Sequence, residues 1–220
     1  MRRVTTIFGS TLGKKVVMAV TGIVLVAFVI AHMIGNLQVF LGPEALNAYS
    51  DFLHEFLHGG GLWIVRAALL ASVALHIWAA TSLTLHNREA RPVGYRAQRW
   101  VESTYASRTM KWSGPLLLLF IIYHLLHFTT GTVHSDYIPG DVYHNFVAGF
   151  QVVPVSVFYI LAMLCLGLHL YHGVWSGLQT LGLNHPRYNH LRHALSTLVT
   201  VAVAGGNITF PLAVLSGFIE

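Results

Sequence analysis

The chain has 220 residues, of which 55% are hydrophobic and 10% are charged, and its mean hydropathy is +0.61. Because soluble domains carry about 25% charged residues, this composition excludes a soluble fold and leaves no room for a globular catalytic domain. The formal charge of +5 does not indicate a nucleic-acid partner, since the basic residues flank apolar segments and set membrane topology instead.

Five apolar runs follow one another, each long enough to cross about 30 Å of hydrocarbon as a helix. They cover about residues 16–40, 62–85, 112–131, 154–181 and 194–218. Pro115 is predicted in the first turn of the third helix, where its missing N–H costs least. Gly205, Gly206 and Pro211 predict a kink or break in the fifth. The sequence thus predicts an all-α membrane protein, a single domain over residues 1–220 built as a five-transmembrane-helix bundle.

Basic residues lie on alternate sides of the five runs. The N-terminus and the connections 86–111 and 183–193 hold every Lys and Arg except Arg66, whereas the other two connections hold acidic residues. By the positive-inside rule, the N-terminus is cytoplasmic and the C-terminus lies outside. The connection 86–111 also contains Tyr95, Trp100 and Tyr105. It is either a stop-transfer loop that touches anionic head groups or a docking surface for a soluble partner.

Histidines stand at membrane depth in four of the five predicted helices, where an ionisable side chain is costly and therefore a functional candidate. They are His32 in the first helix, His76 in the second, His124 and His127 in the third, and His169 and His172 in the fourth. At 1.5 Å per residue, the first and third helices offer a histidine in their outer halves, and the second and fourth in their inner halves. Two pairs at two depths are what two stacked bis-histidine haems require.

Other features leave alternatives open. His127 and His172 lie one turn along from His124 and His169 and are alternative ligands, or contacts to a propionate or a quinone. Arg66, near the outer boundary, either snorkels to the head groups or pairs with a propionate of the outer haem. The alternative function is a histidine-based proton channel or transporter without haem, although every Asp and Glu lies at a helix end or in a loop.

Seven short segments, in order along the whole chain, are typical of one known family. They are 13–22 (GKKVVMAVTG), 31–37 (AHMIGNL), 42–49 (GPEALNAY), 74–78 (ALHIW), 106–110 (ASRTM), Tyr123-His124 and 168–182 (LHLYHGVWSGLQTLG). Together they resemble the di-haem cytochrome b membrane anchor of succinate dehydrogenases and quinol:fumarate reductases, in the form that has five helices in one chain.

The resemblance implies one axial ligand from each of the first four helices. The implied pairs are His32 with His124 for the outer haem and His76 with His169 for the inner haem. His127 and His172 are then left as contacts to a quinone or a propionate, and Glu55 is a candidate for a quinone or proton role. The implied cofactors are two haem b groups and a quinone, with menaquinone preferred to ubiquinone.

The resemblance also implies partners and a location. The chain would dock a cytoplasmic iron–sulfur subunit and, through it, a flavoprotein that oxidises succinate or reduces fumarate. It would itself hold no succinate site. As a multi-pass protein of the cell inner (plasma) membrane, surrounded by lipid, it would pass electrons between the iron–sulfur subunit and membrane quinone, and so serve as the quinone-side subunit of a succinate:quinone oxidoreductase.

Overall fold

The structure, a computed structural model, describes residues 8–90, 93 and 104–220. Within these residues the chain is helical and contains no strand. The helices are α1 (Thr11–Asn36), α2 (Pro43–Glu55), α3 (Gly60–Glu89), α4 (Tyr105–His124), α5 (Val142–Gln151), α6 (Val153–Thr180), α7 (Asn189–Thr200) and α8 (Gly206–Leu215). Short 3-10 segments cover Leu37–Leu41 and Pro186–Tyr188, and π-helical turns cover Leu125–Thr129 and Val201–Gly205.

Five of the helical segments are long and apolar enough to cross a membrane. These spans are Thr11–Leu41, Gly60–Glu89, Tyr105–Thr129, Val153–Thr180 and Pro186–Leu215. The predicted fold class, an all-α bundle of five transmembrane helices, is confirmed. Most spans extend beyond the predicted apolar runs because polar caps, rather than the last apolar residue, set where a helix begins. The Ser10 side chain accepts from the N–H of Gly13, and the Thr104 side chain accepts from the N–H of Ser107.

The expectation that Pro115 lies in the first turn of its helix is wrong. The Thr104 cap starts α4 at Tyr105, so Pro115 lies in the interior of the helix. A proline there has no N–H to donate to the carbonyl four residues earlier, which belongs to Lys111. The helix therefore begins well before Pro115, and the carbonyl of Lys111 lacks its usual helical donor.

The fifth span is interrupted where its glycines and proline stand. A π-helical turn at Val201–Gly205 separates α7 from α8, and Pro211 lies inside α8. Such turns are a recognised cause of helix bending, because one extra residue is inserted into the hydrogen-bond ladder.

Two short helices, α2 and α5, cover one end of the bundle, which we call the α2/α5 end. The Asn47 amide donates to Asp141 at 3.1 Å, and its carbonyl accepts from the N–H of Tyr143 at 3.0 Å. Asp141 also caps α5 by accepting from the N–H of His144 at 3.0 Å. The main apolar core lies at this end and includes Val39, Leu46, Val147, Phe150, Phe210 and Val214.

The central helix of the bundle is α6, which packs against α1, α4, α7 and α8, while α1 also packs against α3. The described residues of the basic connections, among them Arg88, Arg108 and Arg187, lie towards the end opposite to α2 and α5. Of the predicted docking segment there, Tyr95 and Trp100 lie outside the described residues, as do Arg2 and Arg3 near the N-terminus. The orientation of the termini and the docking role of this segment stay predictions.

Candidate functional site

Two histidines, from α1 and α4, face each other across the bundle. The ring centroids of His32 and His124 lie 5.8 Å apart, with their planes at 87°. Both side chains are half-buried. Phe28 stacks on His32 at 5.4 Å, and Phe120 packs against His124 at 5.8 Å. We call these two histidines the α1–α4 pair.

A second pair comes from α3 and α6. The ring centroids of His76 and His169 lie 6.3 Å apart, with their planes at 53°, and both side chains are half-buried. We call them the α3–α6 pair. The structure thus brings the four histidines together in twos, in the combinations that the resemblance implies.

The two pairs lie at different depths. In α1, Thr21 lies beside the ring of His76, and His32 follows eleven residues later. In α4, Ser113 lies beside the ring of His169. His124 follows Ser113 by eleven residues. At 1.5 Å per residue, both helices separate the pairs by about 16 Å along the bundle.

Hydrogen bonds determine which nitrogen of His76 carries its proton. Its Nδ1 lies 3.1 Å from the carbonyl oxygen of Met18, which can only accept, so Nδ1 is the donor. The Thr21 hydroxyl, 3.2 Å from the same nitrogen, donates its own proton to the carbonyl of Val17 at 2.7 Å and can accept as well. The Nε2 of His76 is therefore unprotonated, with its lone pair available to a metal ion.

His169, the second histidine of the α3–α6 pair, also has a hydrogen-bond partner at its Nδ1. The Nδ1 of His169 lies 3.1 Å from the Oγ of Ser113. The Ser113 hydroxyl lies 3.3 Å from the carbonyl oxygen of Met110 and donates its proton there. Its oxygen is then free to accept from Nδ1 of His169, which again leaves Nε2 unprotonated.

A tyrosine from α6 connects the α1–α4 pair to a further histidine. The Tyr159 oxygen lies 3.3 Å from Nδ1 of His124 and 3.2 Å from Nδ1 of His127. A phenol has one proton to donate, so it donates to one ring and accepts from the other. The two rings therefore hold opposite tautomers, and Tyr159 couples their protonation.

The ring of His32 has a partner on its own helix. The Asn36 amide donates to Nε2 of His32 at 3.2 Å. Because an amide N–H can only donate, Nε2 of His32 is the unprotonated nitrogen. At least three of the four paired histidines thus have a defined set of partners that leaves Nε2 without a proton.

Space for a planar group remains around the pairs. A Cβ atom at Gly114, Gly173 or Gly177 would meet no atom within 4 Å, whereas one at Gly22 would lie 3.5 Å from the ring of His76. Over the described residues, the helices that carry each pair, α1 with α4 and α3 with α6, do not pack closely against each other. Each pair of rings therefore spans a gap between helices.

These residues fit a haem group at each pair. Two metal–nitrogen bonds of about 2 Å, plus a ring radius of about 1 Å on each side, place the centres of two axial imidazoles about 6 Å apart. The observed separations of 5.8 Å and 6.3 Å agree with that value. Among the described residues, no three His, Cys, Asp or Glu side chains converge to hold a metal ion by themselves. Two protein ligands on opposite sides suit an iron already held by a porphyrin.

The structure places His127 apart from the gap between α1 and α4. Its side chain is 2% exposed, and its ring stacks on His134 at 4.7 Å and on Tyr123 at 5.4 Å. His134 in turn bonds to the carbonyl oxygen of Asn145 in α5 at 2.8 Å. His127 thus joins the third span to the covering helix α5, with Tyr159 between it and the α1–α4 pair.

His172 is half-buried in α6, one turn beyond His169 towards the basic connection. Its ring centroid lies 6.4 Å from that of Trp175. It therefore borders the α3–α6 pair without belonging to it.

The two charged candidates lie outside the histidine pairs. Arg66 is half-buried in the second turn of α3, where its guanidinium stacks over Trp63 at 5.0 Å, and none of the carboxylates in the described residues pairs with it. Glu55 is the last residue of α2 and is exposed. The structure does not bring Glu55 together with the paired histidines.

Sequence reasoning missed the side chains that orient the rings. Thr21, Ser113 and Tyr159 each stand inside a predicted apolar run, as the histidines do. The same signal, a polar side chain at membrane depth, would have identified them as candidates. Their partners were invisible because the contacts join residues 32 to 56 positions apart.

Comparison with known proteins assigns the family. The sequence profile of the succinate dehydrogenase/fumarate reductase transmembrane subunits matches residues 87–206, more than half of the chain. The matched region contains His124 and His169. No curated protein and no solved structure matches the chain. The chain therefore belongs to the family of succinate dehydrogenase/fumarate reductase transmembrane subunits.

Proposed function

We propose that this membrane anchor subunit holds two haem b groups and passes electrons between an iron–sulfur subunit and membrane quinone. The observation that carries the proposal is the set of two histidine pairs, 5.8 Å and 6.3 Å between ring centroids, at two levels of the bundle. The family supports the role of membrane anchor in a succinate/fumarate oxidoreductase. The iron–sulfur and flavoprotein partners, and menaquinone as the quinone, are proposed from the resemblance described above.

In this proposal the four histidines would hold the iron of two haem groups. His76 and His169 would hold one haem through Nε2, and His32 and His124 would hold the other, with the Asn36 amide leaving Nε2 of His32 when iron binds there. Haem b, when bound, supplies a carrier that gains and loses one electron at a time. The pairs lie about 16 Å apart along α1 and α4, so that together they extend across much of the membrane.

The neighbouring polar groups orient the ligands. The carbonyl of Met18 and the hydroxyls of Thr21 and Ser113 accept from Nδ1, which keeps Nε2 unprotonated and available to a metal ion. Bonds of this kind to the far nitrogen also raise the basicity of a ligating imidazole. The same contacts restrict rotation of the two rings of the α3–α6 pair.

The proposal is tested by the haem content of the purified chain. We expect about two haems per chain in a pyridine haemochrome assay, since each haem takes two axial ligands. H32A or H124A is expected to remove one haem, and H76A or H169A the other. H86A, at an exposed histidine outside both pairs, is the control that leaves both haems bound. H127A and H172A test the alternative ligands and should also retain both haems.

Two outcomes would contradict the proposal. A colourless preparation with an intact helical spectrum would exclude the haem function and favour the histidine-based proton channel. Loss of a haem in H127A or H172A, with H124A or H169A retaining it, would show that the ligand set is wrong.

A further inference from the structure

The basic end of the bundle contains a buried arginine that the haem function does not use. Arg192, in α7, is 6% exposed. Its Nη2 donates to Asn189, whereas its Nε and Nη1 are buried and have no hydrogen-bond partner in the part of the chain that the structure describes. In the sequence, Arg192 is one of the basic residues that set the topology of a connection. The structure instead encloses it as a cation whose donors are largely unsatisfied.

The described residues around Arg192 supply further hydrogen-bond donors and no negative charge. Trp175 of α6 lies against the guanidinium at 5.5 Å, and its indole Nε1 is also buried without a partner among these residues. The ring of His193 stacks on the Trp175 ring, with 5.7 Å between their centroids. Among the described residues, none of the carboxylates pairs with Arg192. Buried charges in proteins are normally paired, so the described residues leave this site without an anion.

A cavity of about 410 Å³ lies at this position, and Arg192 forms part of its wall. The rest of the wall is mostly apolar and includes Leu178, Leu183, Tyr188, Leu191 and Leu195. Leu191 and Leu195 are 53% and 43% exposed, so the cavity opens onto the outer surface of a membrane-spanning helix. The site thus combines a buried guanidinium with an apolar wall that faces lipid.

The depth of the site matches the region of lipid phosphates. Arg192 is six residues from Pro186, where the fifth span begins, which is about 9 Å along the helix. Trp175 lies a similar distance from the end of α6, and tryptophan is enriched at the level of the head groups. The Arg192 side chain also lies in the first turn of the 12-residue helix α7, whose N-terminal dipole favours an anion.

We infer that Arg192 binds the phosphate of an anionic phospholipid, whose acyl chain lies along Leu191 and Leu195. Charge decides against a neutral quinone, which would leave the guanidinium without a counter-ion. The position of the cavity argues against a haem propionate, because its described lining residues all belong to 178–195 and none of them comes from α3 or α4. Basic pockets beside transmembrane helices are a recurrent mode of anionic-lipid recognition.

The inference is tested on the full chain, purified in detergent, stripped of lipid and incubated with defined phospholipids. Native mass spectrometry measures the fraction that carries phosphatidylglycerol or phosphatidylcholine. We expect phosphatidylglycerol to bind about tenfold more tightly, and R192Q to abolish that preference, since a hydrogen bond to a charged group is worth about one decade in affinity. R187Q, which removes an exposed arginine of the same connection, is the matched control and should retain the preference.

R192K separates loss of charge from misfolding. It keeps the cation and is expected to retain a preference for phosphatidylglycerol, with affinity reduced severalfold because lysine lacks the planar fork. Equal binding of the two lipids to the wild-type chain, or an unchanged preference in R192Q, would overturn the inference. Displacement of phosphatidylglycerol by inorganic phosphate would make free phosphate the ligand instead. Loss of haem in R192Q with lipid binding unchanged would assign the arginine to a haem propionate.

Discussion

The Nδ1 of His169 lies 3.1 Å from the Oγ of Ser113, although the two residues are 56 positions apart in the chain. This contact joins α6 to α4 at the level of the α3–α6 pair. Because this hydrogen bond holds Nδ1 of His169, it limits rotation of the ring.

S113A should therefore weaken haem binding at the α3–α6 pair. Loss of a hydrogen bond to the far nitrogen of a ligating histidine typically costs about 10–100-fold in metal affinity. The measurement is the rate of haem transfer to an apoprotein acceptor, followed by absorbance. S216A is the control, because the Ser216 hydroxyl bonds only within its own exposed helix end. Equal haem retention in S113A and wild type would show that the contact does not support a ligand.

G22L should remove the same haem by a steric route. A Cβ atom at Gly22 already lies 3.5 Å from the His76 ring, so a leucine side chain would push that ring out of the gap. We expect about one haem per chain instead of two, with the remaining haem at the α1–α4 pair. G60L, at an exposed glycine with no atom near its Cβ position, should retain both haems. Two haems in G22L would contradict the placement of a haem beside Gly22.

Y159F should destabilise the chain and alter the α1–α4 pair. The substitution leaves the ring in place but removes the oxygen that lies 3.3 Å from His124 and 3.2 Å from His127. Leaving buried groups without a partner costs about 1–3 kcal/mol, measured as the free energy of unfolding in detergent. Y143F removes an exposed hydroxyl that bonds to the carbonyl of Glu220 and should change stability little. A Y159F chain as stable as Y143F would mean that Tyr159 does not bridge the two rings.

The Asp141 cap should make the α2/α5 end sensitive to acid. The backbone N–H of His144 and the side-chain amide of Asn47 hold the pKa of Asp141 below its usual range. A depressed pKa means that the carboxylate stabilises the fold fully above its unfolded-state pKa of about 3.9. That stabilisation is lost as the pH falls through the folded-state pKa.

D141A should lower the free energy of unfolding by about 1 kcal/mol at neutral pH, as expected for loss of a helix N-cap. The difference from wild type should shrink as the pH falls below about 4, because this carboxylate then takes up a proton more readily in the unfolded wild-type chain than in the folded one. The measurement is the free energy of unfolding of both chains, from chemical unfolding followed by circular dichroism, between neutral pH and a pH below about 4. D51N, at an exposed aspartate of α2, is the control. A difference that is independent of pH would show that the charge of Asp141 is not what stabilises α5.

Element boundaries show where reasoning from sequence reached its limit. The apolar runs located all five spans, yet α4 begins at Tyr105 rather than near Trp112, because Thr104 caps it. The short helices α2 and α5 were not predicted. Their stability comes from contacts such as that between Asn47 and Asp141, 94 positions apart, which no local window contains.

For the candidate site, too, some features could be predicted from the sequence and others could not. The depth of each histidine follows from its position in an apolar run, so the sequence alone assigns His32 and His124 to one level. The surroundings of His127 and Arg192 do not follow from the sequence. His127 is packed on His134 and Arg192 is enclosed against Trp175, since burial depends on how two helices approach.

Local composition was enough to establish five membrane crossings and the levels of the histidines, because hydrocarbon thickness and the cost of polar groups within it act on each segment separately. Only the packing of the helices decided which side chains meet: Ser113 with His169, Met18 with His76, and Arg192 with Trp175. Such contacts depend on the rotation and crossing of whole helices, which are set by all their neighbours together.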